Sequence, residues 1–170
     1  RPLSSVPPFA YLLFAIAISA QLFYSYYLDD TSSGKMILPN PPSSSVFYLA
    51  GLGDKDVAVK ASLLWLQSFD MQNGRQISLE QLDYNRLTKW LSTLYELDPD
   101  SGYPLLLATH IYINTTDEKQ KRQMLEFAHS KFLKNPNQHW RWMTHAASIA
   151  RHQLDDMALA LSFAESLRTE

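Results

Sequence analysis

The sequence predicts an all-α protein in two parts, one apolar N-terminal membrane helix followed by a domain of paired helices. Three observations carry this reading. Phe9 to Leu28 is a run of twenty residues without a formal charge. From Asp54 onward, apolar residues recur at helical spacing and are interrupted by short breaks at Gly, Asn, Asp and Pro. No stretch alternates with period two for long enough to build a sheet.

Residues 1–8, RPLSSVPP, form a flank with one Arg and no acid. Over residues 9–28, a rise of about 1.5 Å per residue carries a helix across the roughly 30 Å hydrocarbon core of a bilayer. Phe23, Tyr24, Tyr26 and Tyr27 gather at its far end, where aromatic rings settle at headgroup level. Asp29 and Asp30 then end the run. A cleaved signal peptide and a buried core helix are the alternatives. The first needs an apolar core of only about 7–15 residues, and the second is not normally apolar on every side. A retained single-pass anchor is expected, with the C-terminal domain extracytoplasmic, which in a bacterium means the periplasm. Within the anchor, Ala15 and Ser19 have the small-xxx-small spacing that lets membrane helices approach closely.

Residues 29–45 read as a linker, because Pro39, Pro41 and Pro42 remove backbone donors and restrict their predecessors. Met36-Ile37-Leu38-Pro39 is apolar enough to fold back into a groove of the domain, taken as 46–170. Val46–Leu52 reads as a short helix ended by Gly53. A first long helix follows over 54–70, with Leu63, Leu64, Trp65, Leu66 and Phe69 on a wide apolar face. A turn is expected at Asn73-Gly74. Ser78 and Gln81 have capping-box spacing for a second helix over 79–97, with Leu87, Trp90, Leu91 and Leu94 at i, i+3, i+4 and i+7. Further helices are expected over 103–114, 118–134, 139–152 and 155–168, and the short gaps fold each pair back on itself.

The pairs repeat. Pro99 and Pro136 each follow the second helix of a pair, 37 residues apart. Trp142-x-x-His145-Ala146-x-x-Ile149 echoes Pro104-x-x-Leu107-Ala108-x-x-Ile111, and Phe127-Ala128 matches Phe163-Ala164. Over about Gly102 to Arg168 the chain thereby resembles the tetratricopeptide repeat (TPR) family, whose 34-residue unit places large-x-x-Leu-small in its first helix and Pro after its second. His145 stands where that family has Leu, and Ile111 and Ile149 stand where it has an aromatic. The resemblance implies a short right-handed α-solenoid of about three helix pairs, whose concave groove binds protein segments. The family's groove positions fall on Leu105, Thr109 and Tyr112, and then on Trp140, Met143, Ala147 and Arg151. Trp140 with Arg141 is also the densest anchor-type pair in the chain, since Trp and Arg recur at interfaces. Trp142, about 200° away from Trp140 around the helix, is assigned to the core.

Composition narrows the function. With 46% hydrophobic and 19% charged residues the domain is folded rather than disordered. A net charge of −2 without a basic stripe excludes nucleic acid as a partner. The chain has no cysteine, hence no disulfide or thiolate metal site. His110 and His129 are expected on facing helices, but no His-x-x-x-His or Glu-x-x-His spacing supports a metal. His145 is expected to be the most buried histidine. No phosphate loop, dinucleotide fingerprint or nucleophile elbow is present, and Asp98, Asp100 and Asp155-Asp156 read as helix-end acids. Asn114-Thr115-Thr116 is a glycosylation sequon, relevant in a eukaryote. No catalytic residue, cofactor or metal is therefore assigned. Two functions are open: a scaffold that recruits a protein partner at the membrane surface, or an accessory subunit packed through its membrane helix into a larger integral-membrane complex.

Overall fold

Helical spacing in the sequence becomes helix over most of the chain. The computed structural model describes residues 8–29, 38–69, 71–72, 75–76 and 78–169, with the side chains of 9–23, 38–69 and 78–169. Contacts divide the chain into two units, Arg1–Ile37 and Leu38–Glu170. Among the described residues the fold is all-α apart from one two-residue ladder.

The first unit holds α1 (Pro8–Asp29). Pro8 opens it, since the first helical position has no use for an amide hydrogen. Every described side chain from Tyr11 to Phe23 is exposed, Ala15 and Ser19 included. Those described side chains, 9–23, cover about 22 Å of helix, so among the described residues no helix is long and apolar enough to cross a membrane. The uncharged sequence continues to Leu28.

The second unit begins at Leu38 rather than Val46. Leu38 is buried, its carbonyl accepts from Arg86 Nη1 at 2.7 Å, and the Pro39 carbonyl accepts from Trp90 Nε1 at 2.8 Å. The end of the expected linker is thus a strap on the domain, while Met36 and Ile37 lie outside the described residues. Next comes α2 (Ser44–Ala50), whose Phe47 packs edge-on against Trp90 with ring centroids 5.5 Å apart. Asp54 caps α3 (Lys55–Phe69), accepting from the amides of Asp56 at 2.9 Å and Val57 at 3.2 Å. Then β1 (Met71–Gln72) pairs antiparallel with β2 (Arg75–Gln76). The Asn73-Gly74 turn expected between them lies outside the described residues.

The second long helix starts later than its capping-box spacing predicts. Leu79–Gln81 is a 3₁₀ turn with no cap from the Ser78 side chain. Asp83 instead caps α4 (Tyr84–Leu97), its carboxylate accepting from Asn85 at 3.0 Å and Arg86 at 3.2 Å. One carboxylate satisfies two orphan amides there, and that decides the start.

The helix expected over 103–114 divides into α5 (Tyr103–Leu106) and a π-helical stretch over Leu107–Ile111. The Thr109 hydroxyl donates to the Leu105 carbonyl at 2.8 Å, and Tyr112 N donates to the Leu107 carbonyl at 2.9 Å. A side chain thus competes with the backbone for a carbonyl, as Thr does inside helices. Asp117 caps α6 (Glu118–Phe132) through the amides of Lys119 and Gln120. Pro136 does not merely end the previous helix; it stands in the first turn of α7 (Pro136–His152), three residues ahead of the expected start. Asp156 accepts from Leu159 N at 2.9 Å to open α8 (Met157–Thr169).

Packing follows chain order. α3 lies on α4, α5 touches both, α4 meets α6, α6 meets α7, and α7 meets α8. One core runs through them, with Leu66 of α3, Leu87, Leu91 and Leu94 of α4, Leu125 of α6, and Met143 of α7 nearly inaccessible to solvent. Truncating any of these leucines to alanine removes roughly 2–5 kcal/mol.

Candidate partner-binding surface

Four of the groove positions carried over from the repeat pattern offer no surface. Leu105, Thr109, Tyr112 and Met143 are fully buried. The π-helical stretch shifts the register of its own segment, and Met143 turns inward beside Ala146 and Ile149. Of the rest, Trp140 is 49% exposed, Arg141 and Arg151 are exposed, and Ala147 is half-buried. The Arg141 guanidinium carbon lies 5.4 Å from the Trp140 ring centroid, a local cation–π contact. Ala147 and Arg151 line a shallow cleft of about 320 Å³ between α7 and α8, with Met157 and Leu161. The predicted set therefore divides into a buried part and an exposed part along α7.

A second apolar cleft lies between α3 and α5. It encloses about 310 Å³ and is lined by Lys60, Leu63, Leu64, Gln67, Tyr103, Leu106 and Leu107. Leu63 and Leu107 are buried and make its floor, while Leu64 is 66% exposed and Tyr103 43% exposed. Lys60 stands at the rim with its Nζ 2.6 Å from Asp56 Oδ2 and 5.3 Å from the Tyr103 ring centroid. The Asp56 hydrogen bond holds the Lys60 ammonium above its ordinary pKa. An apolar floor, an aromatic wall and an ion pair at the rim can receive an apolar side chain and position a polar group beside it.

The residues of α3 explain why this cleft exists. Successive helical side chains point about 100° apart, so Leu63, Leu64, Trp65 and Leu66 cannot all face the core. Leu63 and Leu66 do, with Ala58, Val59 and Phe69. Leu64 is left outside, on one stripe with Val57 and Ala61, all three exposed. Trp65 turns to the α4 side and stacks on Trp90, centroids 5.0 Å apart and planes 28° apart. Four consecutive large apolar residues exceed what one helix face can bury, and that signal was available in the sequence.

The histidines pair differently from expectation. His110 stacks on His145, with centroids 4.2 Å apart and planes 22° apart, and meets the edge of Trp142 at 5.6 Å. It does not pair with His129, whose Nε2 lies 3.0 Å from Ser166 Oγ. Trp142 is half-buried and lies against Gly102, where an added Cβ would stand 3.2 Å from the indole nitrogen. The most buried histidine is His139, not His145; its Nε2 lies 3.3 Å from the Tyr95 hydroxyl. Burial lowers the pKa of His110, His129 and His139, and in His110 the facing His145 adds to the effect. Among the described residues no group of three or more His, Cys, Asp or Glu side chains is placed to hold a metal ion.

No family model, curated protein or solved structure matches the chain.

Proposed function

We propose that this chain is a non-enzymatic, single-pass membrane protein whose helical domain recruits a protein partner at the membrane surface. In this reading α3/α4, α5 with its π-helical stretch/α6, and α7/α8 are three TPR-like pairs of a short solenoid. Support comes from the packing order, in which first helices touch (α3 with α5) and second helices touch (α4 with α6). Hydrogen bonds also join successive pairs: Gln123 Nε2 donates to the Tyr84 carbonyl at 3.1 Å, and Arg122 pairs with Asp156 at 2.5 Å. Support for the anchor comes from the uncharged run Phe9–Leu28 and from side chains exposed around α1. Such a helix needs an apolar environment on all sides.

The observation that carries the recruiter reading is the open apolar cleft between the first helices of two successive pairs, with Leu64 and Tyr103 unshielded. Exposed apolar surface rimmed by polar groups marks interaction sites. One specific observation favours an accessory subunit instead: Ala15 and Ser19 lie exposed one turn apart on α1, as close helix packing requires. Mild detergent extraction of the full chain from its own membranes, with and without Leu64→Glu, separates the two. A recruiter remains membrane-bound in both forms and loses its companion with Leu64→Glu. A subunit keeps a fixed stoichiometry with integral membrane proteins whatever stands at position 64. Extraction of the wild-type chain without any companion contradicts both readings.

A further inference from the structure

The corner that joins α2 to α3 places leucine where folding alone does not ask for it. Leu52 is 95% exposed and has φ 53°, in the left-handed region that bulky residues rarely adopt. The turn around it is held by four backbone hydrogen bonds: Gly51 to Phe47, Leu52 to Leu49, Gly53 to Tyr48, and Asp54 to Gly51. Gly51 is pressed against α3, since an added Cβ would meet the Asp54 carbonyl oxygen at 2.4 Å and Ala58 Cβ at 2.6 Å. The tip therefore has a fixed direction. Asparagine or glycine would adopt this conformation with less strain and would not set an apolar side chain in water. Beside Leu52, Leu49 is 74% exposed, and Val46 and Tyr48 are exposed as well. No charged residue occurs from Leu38 to Gly53.

We infer that this corner is a second membrane contact: Leu49 and Leu52 enter the headgroup–acyl boundary of a lipid bilayer, with Tyr48 at its polar edge. The inference rests on the proposal that α1 is a membrane anchor. Three properties favour lipid over a protein partner. The feature protrudes at a turn, whereas interface anchors seat in pockets. Its exposed apolar residues, Val46 to Leu52, include no charge, and the Asp54 carboxylate that follows is engaged by the amides of Asp56 and Val57. It also follows closely in the chain after the apolar helix, with α2 starting at Ser44 and α1 ending at Asp29. Unanchored interfacial segments depend on long apolar faces and basic residues to reach a bilayer. A short apolar corner is too weak alone, but a tether that keeps it near the surface turns its insertion into an intramolecular event.

The absence of cysteine allows a direct test in the full chain. Single variants Leu52→Cys, Phe14→Cys and Gln153→Cys carry an environment-sensitive fluorophore and are reconstituted into phosphatidylcholine vesicles containing brominated lipid. Brominated lipid is expected to quench the labels at positions 14 and 52 and to spare the label at exposed Gln153 in the α7–α8 turn. Adding Leu49→Glu to the Leu52→Cys chain brings its quenching down to the level at position 153. If position 14 is quenched and position 52 behaves like position 153, the corner does not touch lipid, and the anchor reading stands. If neither 14 nor 52 is quenched, the anchor reading fails and this inference falls with it. A label at 52 that is shielded from water but not quenched means protein covers the corner, which also overturns the inference.

Discussion

His139 is fully buried in α7 and shares a hydrogen bond with Tyr95, so protonating its ring puts a cation where solvent cannot reach it. The Pro99 carbonyl and Asp100 favour the charged form, but desolvation outweighs them and the pKa falls below its ordinary value. His110 and His129 are shifted the same way. For each, the folded pKa lies below the unfolded value of about 6.5, so the unfolded chain binds more protons between the two. The stabilisation is complete above about pH 6.5 and is lost as pH falls from there through the folded values. Thermal unfolding of the full chain in detergent should therefore show a lower Tm at pH 5 than at pH 7.5. His139→Gln, which can still hydrogen-bond Tyr95 but does not titrate, should make that drop shallower. An unchanged drop would remove His139 from the account. Lys131 carries the same message in another group: it is buried with its ammonium 5.1 Å from the Tyr95 ring centroid, and burial lowers its pKa.

At the scale of elements, the Leu38–Pro39 strap ties the start of the domain to α4. Arg86 and Trp90 each donate one hydrogen bond to it, and a charged donor contributes about 1.5–3 kcal/mol against about 1 for a neutral one. The double change Arg86→Met with Trp90→Phe should raise amide hydrogen exchange at Val46 and Phe47 by on the order of tenfold or more. Exchange that stays as slow as in the parent chain would mean that α2 is held without the strap. The strap also marks where sequence reading stops. Prolines predicted that residues 39–42 form no helix, and none is formed. The docking of that segment depends on contacts about 50 residues away, to which local composition is blind. Helix starts show the same limit. Asp83 caps α4 through two amides, whereas Ser78, whose spacing to Gln81 suggested a cap, makes no side-chain cap bond. No periodicity announces the π-helical stretch over Leu107–Ile111.

For the whole molecule, helix number and order were legible because apolar residues at i, i+3, i+4 and i+7 have few other uses. Which exposed surface the packed helices leave was not. Carrying groove positions over from the repeat pattern assumed ideal first helices, yet α5 passes into a π turn that buries Thr109 and Tyr112. The cleft between α3 and α5 uses Leu64, one of four consecutive large apolar residues that a single helix face cannot all bury. On the proposed recruiter reading one such opening suffices, because a few well-seated side chains carry most of the energy of an interface. Site-directed photocrosslinking in the membranes of the source organism tests this most directly. It compares a photoreactive residue at position 64 with one at Glu126, an exposed position on α6. A discrete protein adduct is expected from position 64 that position 126 does not give. The same adducts from both positions, or none from position 64, would contradict it.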